Sequence, residues 1–427
     1  MASIRPRSVT LRSYQVGFGD CYLLTFHYHG KTHDRHVLID FGSTGKSEGS
    51  GDLMLRVAED IKKQCEGKLH AVVATHRHKD HISGFATNKK KTGSGDIIAS
   101  CHPDVVIQPW TEHPKAKTDA MQAPNTLSSP KAFVAALGNM HEISAAALVE
   151  AERRKSMLGA TTYRELSFIG EDNLSNVSAV ENLMRMGKKK FYLNYGSKSG
   201  LESVLPGVNT IVLGPPTLKQ SSEIKIQRSK DEAEFWQFQA LANQFVIRKN
   251  ARIFPRARTY SAAGAPPFTR WFVKRLRFVR GEQLLSIVRA LDKVMNNTSL
   301  ILLFEIGKTR MLFPGDAQIE NWSYALSKPA VRRLLSKVNV YKVGHHGSRN
   351  ATPKTLWNGF KNRSTKENDK GRLKSFISTM PGKHGKAASK TEVPRKTLVE
   401  ALNSESEFHT TENLKGKNIS FACEIKF

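Results

Sequence analysis

Three histidines and an aspartate fall within six residues, His76-Arg77-His78-Lys79-Asp80-His81. Imidazole nitrogen suits zinc and similar borderline divalent ions, and a carboxylate offsets the charge such an ion brings. Leu69–Thr75 (LHAVVAT), just before the cluster, has the composition of a buried strand. Ligands leaving such a strand emerge from a rigid edge into a cleft. His76 and His78 are therefore expected to face one metal, and Asp80 and His81 a second. Gly84 would let the backbone turn away afterwards. Histidines also cluster on surfaces by chance, but seldom in this order at a strand end.

The elements that must hold this loop read as strands with interspersed helices. Tyr14–Phe26 is a strand, a glycine turn and a second strand, and Arg35–Asp40 is a further strand closed by Gly42. Asp104–Gln108, Val208–Leu213, Val338–Val343, Ser375–Ser378 and Ile419–Ile425 also read as strands, and Thr298–Phe304 with Arg310–Phe313 as a hairpin. Helical periodicity marks Leu53–Gln64 and Pro394–Leu402. Two polar, mainly helical stretches, about 115–190 and 219–292, read as insertions on one core. The expectation is an α/β fold in a single domain over 1–427. His27, His29, His33 and His36 are expected to be exposed hairpin histidines, because no cysteine or carboxylate set completes a ligand group there. Gly42-Ser43-Thr44-Gly45-Lys46-Ser47 fails as a phosphate loop, with two residues rather than four between its glycines.

Charge narrows the partner. Lys plus Arg is 66 against 38 Asp plus Glu, a net +28 in 427 residues. Such a surface draws polyanions, nucleic acid first and acidic membrane surfaces second. With 39% hydrophobic residues the chain can fill a core, which argues against disorder. The most telling basic segment is Thr269–Arg280 (TRWFVKRLRFVR), where Arg270, Lys274 and Arg277 share one helix face and Trp271, Phe272, Leu276 and Val279 can pack behind it. That arrangement suits a phosphate-tracking nucleic-acid surface, although an ordinary solvated amphipathic helix has the same pattern. Lys89-Lys90-Lys91 and Lys188-Lys189-Lys190 read as exposed loops. Cys21, Cys65, Cys101 and Cys423 are scattered and form no C-x-x-C pair, which fits a reducing cytosol. The longest apolar run, near Leu300–Phe304, is too short for a membrane span. The basic first residues superficially suggest a transit peptide, but strand begins by Val9, so a cytoplasmic location is expected.

The loop resembles the H-x-H-x-D-H signature of the metallo-β-lactamase superfamily, and Asp40, ending its strand before Gly42, resembles that superfamily's first motif. Three segments narrow the likeness to the hydrolase domain of ComEC-type competence proteins: Gly17-Phe18-Gly19-Asp20, Leu312-Phe313-Pro314-Gly315-Asp316-Ala317 and Lys342-Val343-Gly344-His345-His346-Gly347-Ser348. Gly214-Pro215-Pro216 and Asn297-Thr298-Ser299-Leu300 fit the same pattern, so the resemblance covers about 1–110 and 205–427. It implies an αββα metallo-β-lactamase sandwich carrying the two mainly helical insertions, and two divalent metal ions, zinc or manganese. It assigns His76, His78, Asp80 and His81 as ligands, Asp316 as the carboxylate bridging the metals and His345 as the last ligand. Asp40 would support the loop from behind, His346 would line the pocket, and Asp80 would also orient the attacking water. His384, in Pro381-Gly382-Lys383-His384-Gly385, would donate a hydrogen bond or proton to the substrate.

One departure stands out: the superfamily's third histidine for the first metal is not evident, since His102, His113 and His141 all lack its usual context. That metal would then be completed by water, bind weakly, or be manganese. Paired metals lower the pKa of water held between them and so generate hydroxide near neutral pH. The reading is a metal-dependent hydrolase, a phosphodiesterase or nuclease acting on DNA or RNA. The alternatives are a small-molecule hydrolase of cyclic nucleotides or phosphocholine esters, and a catalytically degenerate binding module.

Overall fold

The computed structural model describes residues 4–30, 33–45, 53–113, 149, 152, 177–222, 295–348, 352–380, 382–383, 392–414 and 418–427. His384, His141, the helix face of Arg270, Lys274 and Arg277, and most of both expected insertions lie outside them.

The chain begins with β1 (Ser8–Tyr14), β2 (Cys21–His27) and β3 (Arg35–Phe41), then α1 (Leu53–Gln64) and β4 (Ala71–Val73). The histidine loop follows, ending in the single turn α2 (Lys79–Ile82), and α3 (Ser94–Ala99) leads to β5 (Val105–Pro109). The chain continues with α4 (Val177–Arg185), β6 (Lys189–Leu193) and β7 (Asn209–Gly214). The hairpin β8 (Ile301–Ile306) and β9 (Thr309–Phe313) precedes α5 (Ile319–Leu326), α6 (Pro329–Leu335) and β10 (Val340–Lys342). Last come α7 (Lys354–Gly359), β11 (Lys374–Ile377), α8 (Lys396–Glu405), β12 (Glu407–Thr410) and β13 (Ser420–Lys426).

These strands build two sheets. The first has seven strands in the order β13-β1-β2-β3-β4-β5-β6, and the second has six in the order β12-β11-β10-β9-β8-β7. Each is antiparallel at one end and parallel at the other, with β3 to β6 and β9 to β12 running parallel. Strand period explains why they stack. Val37, Ile39, Ala71 and Val73 point into a core shared with Leu302, Phe304, Met311 and Phe313 of the other sheet. Leu38 and Val72, offset by one residue, point the opposite way and pack against Val57, Ala58 and Ile61 of α1. Tyr341, Leu312 and Leu303 do the same for the second sheet against Trp322 and Leu335. Strands covered on both faces read as continuous apolar runs. The fold is mixed α/β: two facing sheets, each with helices on its outer side.

Three expectations need correction. The stretch 177–190 is core rather than insertion, because Ala179, Val180 and Leu183 of α4 are buried against the first sheet and β6 pairs in parallel with β5. The Lys188 run is exposed at Lys188 and Lys189 but is not a loop, since Lys189 and Lys190 lie on β6, and Lys188 pairs with Asp104 at 2.8 Å. His36 is buried, bonded through Nδ1 to Thr25 Oγ1 at 3.1 Å, while its backbone N–H donates to His70 Nδ1. Among the described residues, no helix is long and apolar enough to cross a membrane.

Two glycines near the histidine loop are required by close approach. A Cβ on Gly42 would meet the His81 nitrogen and the Lys79 carbonyl oxygen, each at 2.4 Å, so backbone packs directly on backbone there. Gly84 lies flat on the Phe41 ring, which a Cβ would meet at 2.5 Å; packing rather than turning requires it. Gly42→Ala is expected to lower stability by about 1–3 kcal/mol through overpacking. Urea unfolding should show a lower midpoint at unchanged slope, and an unaltered midpoint would contradict the contact.

Candidate metal centre

The loop residues emerge beyond the carboxyl end of β4, and Asp316, His345 and His346 emerge beyond β9 and β10. Outside the carboxyl ends of parallel strands is where open α/β sheets place ligands. Here both sheets present that edge to a common place. Asp80, His81, Asp316 and His346 meet there, each offering a ligand atom within 4.8 Å of the others.

Both imidazoles in this group are aimed from behind. His81 Nδ1 lies 2.8 Å from Asp40 Oδ2, which leaves Nε2 facing Asp316 Oδ2 at 3.0 Å. His346 Nδ1 donates to the Ser378 carbonyl at 2.9 Å, and its Nε2 faces Asp80 Oδ2 at 3.1 Å and Asp316 Oδ2 at 3.8 Å. Anchoring one ring nitrogen so that the other presents its lone pair is the outer-shell arrangement of metal-bound histidine. Asp40 is itself held, by the Thr75 N–H at 2.7 Å and the Thr75 hydroxyl at 2.8 Å. It sits at a register shift of the β2–β3 pair with φ 55°, a bulge that turns the side chain off the strand toward His81.

His76 and His78 lie alongside, with His76 Nε2 3.0 Å from His78 Nδ1 and the His76 ring 4.2 Å from that of His81. The loop is tied down by Arg77, whose Nε and Nη2 both donate to Glu112 Oε2, at 2.9 and 2.7 Å.

Charge is the dominant feature. Asp20, Asp40 and Asp316 are buried and Asp80 is nearly so, and among the described residues the one ammonium set among them is Lys342. It pairs with Asp20, lies 3.6 Å from Asp316 Oδ1 and donates to the Gly315 carbonyl at 3.2 Å. Burial would lower the Lys342 pKa, but Asp20 and Asp316 hold it above the ordinary value. Burial would likewise raise the Asp316 carboxyl, yet His81, His346 and His345 keep it well below the usual range. Burial opposes charge on His81, which Asp316, Asp40 and Asp80 nevertheless hold well above a normal imidazole. His345 is pushed down to about 4, chiefly by burial, and stays neutral at pH 7. Four carboxylates facing the Lys342 ammonium and the protonated His81 still leave negative charge in the pocket, and buried charge of one sign demands compensation. Divalent cations fit this donor set of imidazole nitrogen and carboxylate oxygen, and would displace the imidazole protons on binding.

The structure brings together most of the residues singled out from sequence, with one exchange. His346 rather than His345 stands in the four-residue group. His345 instead donates its backbone N–H to Asp316 Oδ1 at 2.9 Å, and its Nδ1 is 2.7 Å from Ser348 Oγ. Of the histidines weighed for the third position, His113 is buried edge-on against Tyr192, ring centroids 4.7 Å apart, and His102 is exposed. Neither belongs to a potential ligand group among the described residues. Sequence reasoning missed Lys342 and Asp20 as site residues. The available signal was a lysine near the end of the largely apolar strand Val338–Val343.

The architecture is thus a mixed α/β fold of two multi-strand sheets with a carboxylate–imidazole centre between their edges. No family model matches the chain. A stretch of 99 residues is 32% identical to Recombination protein 2 of Haemophilus influenzae, covering 23% of this chain and 11% of that protein.

Two outcomes follow from this geometry. Lys342→Met strands the Asp20 carboxylate and should cost about 3–5 kcal/mol in chemical unfolding; a loss below about 1 kcal/mol would show that other cations already balance it. His346→Ala should reduce bound zinc or manganese per chain in elemental analysis of the dialysed protein, while His345→Ala should leave it unchanged. Equal losses in both would reverse the assignment of the pair.

Proposed function

We propose that this chain is a metal-dependent phosphodiesterase acting on nucleic acid, built on the αββα sandwich of the metallo-β-lactamase superfamily. The observation that carries this reading is the meeting of Asp80 and His81 from one sheet with Asp316 and His346 from the other, both rings anchored at Nδ1. The sheet-on-sheet core with outer helices is compatible with that sandwich. The net charge of +28 favours a polyanionic substrate. The partial likeness to a protein named for recombination, a process of DNA, points the same way.

In this reading His76 and His78 would hold one divalent ion, zinc or manganese, and Asp80, His81, Asp316 and His346 would hold a second. When bound, such ions acidify water and neutralise charge building on a phosphate. The chain's own groups do the rest. Asp40 fixes the orientation of His81, Ser378 that of His346, and Lys342 holds Asp20 and Asp316 in place. Asp80, whose Oδ2 lies 3.1 Å from His346 Nε2, would orient the attacking water. His384 protonates the leaving oxygen, and Arg270, Lys274 and Arg277 track the phosphate backbone.

The test is to incubate the full chain with labelled single-stranded DNA, duplex DNA and RNA, with Mn²⁺ or Zn²⁺, beside an Asp80→Asn variant. Cleavage is expected for the parent and should fall by about two to four orders of magnitude in the variant, with substrate binding weakening steeply as salt rises. Turnover confined to cyclic nucleotides or phosphocholine esters, insensitive to salt, would mean a small-molecule hydrolase. Metal content near zero with no turnover would mean a binding module, an outcome to which the unfilled third-histidine position would contribute.

A further inference from the structure

The two sheets also meet at their other exposed ends, where β12 edges one sheet and β13 edges the other. Glu407 and His409 stand two residues apart on β12 and so share a face, and Cys423 projects from β13 toward the same inter-sheet core. One ligand atom from each lies within 4.8 Å of the others. We propose that Glu407, His409 and Cys423 form a second metal site, distinct from the centre around Asp316, that takes a thiophilic divalent ion of the zinc class and joins the two sheet edges.

Four observations carry this. The donor set is one sulfur, one imidazole nitrogen and one carboxylate oxygen, a combination that selects zinc over magnesium, calcium or manganese. Three protein ligands leave a fourth tetrahedral position to water. The imidazole is pre-set by a three-ring cluster: His409 lies nearly parallel to Phe376, centroids 4.7 Å and planes 14° apart, and Phe421 touches both rings, 5.8 Å from His409 and 6.2 Å from Phe376. Little side-chain freedom is then lost on binding. The carboxylate is divided: Lys374 holds Glu407 Oε2, while Oε1 faces His409 Nε2 at 3.1 Å. An ion entering between ring and carboxylate would take Oε1 without breaking the lysine pair. Cys423 is also the one cysteine that is not buried, which gives an ion a route in.

The site can be read separately from the first centre because the Asp80, His81, Asp316 and His346 group contains no sulfur. Cobalt(II) bound to a thiolate shows a sulfur-to-metal charge-transfer band in the near ultraviolet that nitrogen and oxygen ligands do not give. Titration of the full chain with Co²⁺ should raise this band to an amplitude corresponding to one sulfur-bound ion per chain, whatever further Co²⁺ the first centre takes up. The band should persist in an Asp80→Asn/Asp316→Asn double variant and vanish in Cys423→Ser. His409→Ala should raise the Co²⁺ needed for half-saturation by about tenfold or more. Absence of the band in the parent, or its survival in Cys423→Ser, would overturn the site. A second measurement needs no variant: Zn²⁺ should slow alkylation of Cys423 in the parent by about tenfold, read by peptide mass spectrometry. An unchanged rate would overturn the proposal as well.

Discussion

Four carboxylates, Asp20, Asp40, Asp80 and Asp316, converge where the two sheets present their carboxyl edges, and among the described residues Lys342 is the single ammonium set with them. Burying like charge is costly unless each group finds a partner. Much of the local structure answers that demand. Asp20 takes the lysine, Asp40 takes His81 and two donors from Thr75, and Asp316 takes the His345 N–H and faces two imidazoles. The remaining negative charge is what makes the pocket attractive to cations.

The same constraint explains why the backbone is bent where it is. Asp40, His345 and His346 all have positive φ, at 55°, 44° and 50°. Such conformations cost of order 1–3 kcal/mol for residues other than glycine and persist only where surrounding contacts hold them. Here the contacts are those of the centre: Asp40 to His81, His345 N–H to Asp316, and His346 to Ser378 and Asp80. The strain and the polar network therefore sustain each other.

A division of labour follows between the two edges where the sheets approach. At the carboxyl edge the donors are oxygen and nitrogen, the surroundings strongly anionic, and the ligands come from tight loops. At the β12–β13 edge a sulfur enters the set, the ligands stand on regular strands, and the histidine packs in a cluster with Phe376 and Phe421. Hard and borderline ions suit the first set and thiophilic ions the second. The two donor sets thus lie at separate places on one scaffold.

Sequence alone determined a good deal. The histidine loop at a strand end, the strands around it and α1 were all legible, because period-two and period-3.6 burial patterns and clustered ligands are local properties. The mixed α/β class followed from the same patterns. The tertiary structure decided what depends on partners distant in the chain. The Lys342–Asp20 pair joins β10 of one sheet to the loop before β2 of the other, a contact that neighbouring positions do not reveal. Glu407 and His409 acquire Cys423 only when the two sheets close upon each other. Which of His345 and His346 faces the carboxylates could not be read from neighbouring positions. Two successive left-handed residues turn their side chains in directions set by the kink, and the kink is held by contacts to Asp316, Ser378 and Asp80 from elsewhere in the fold.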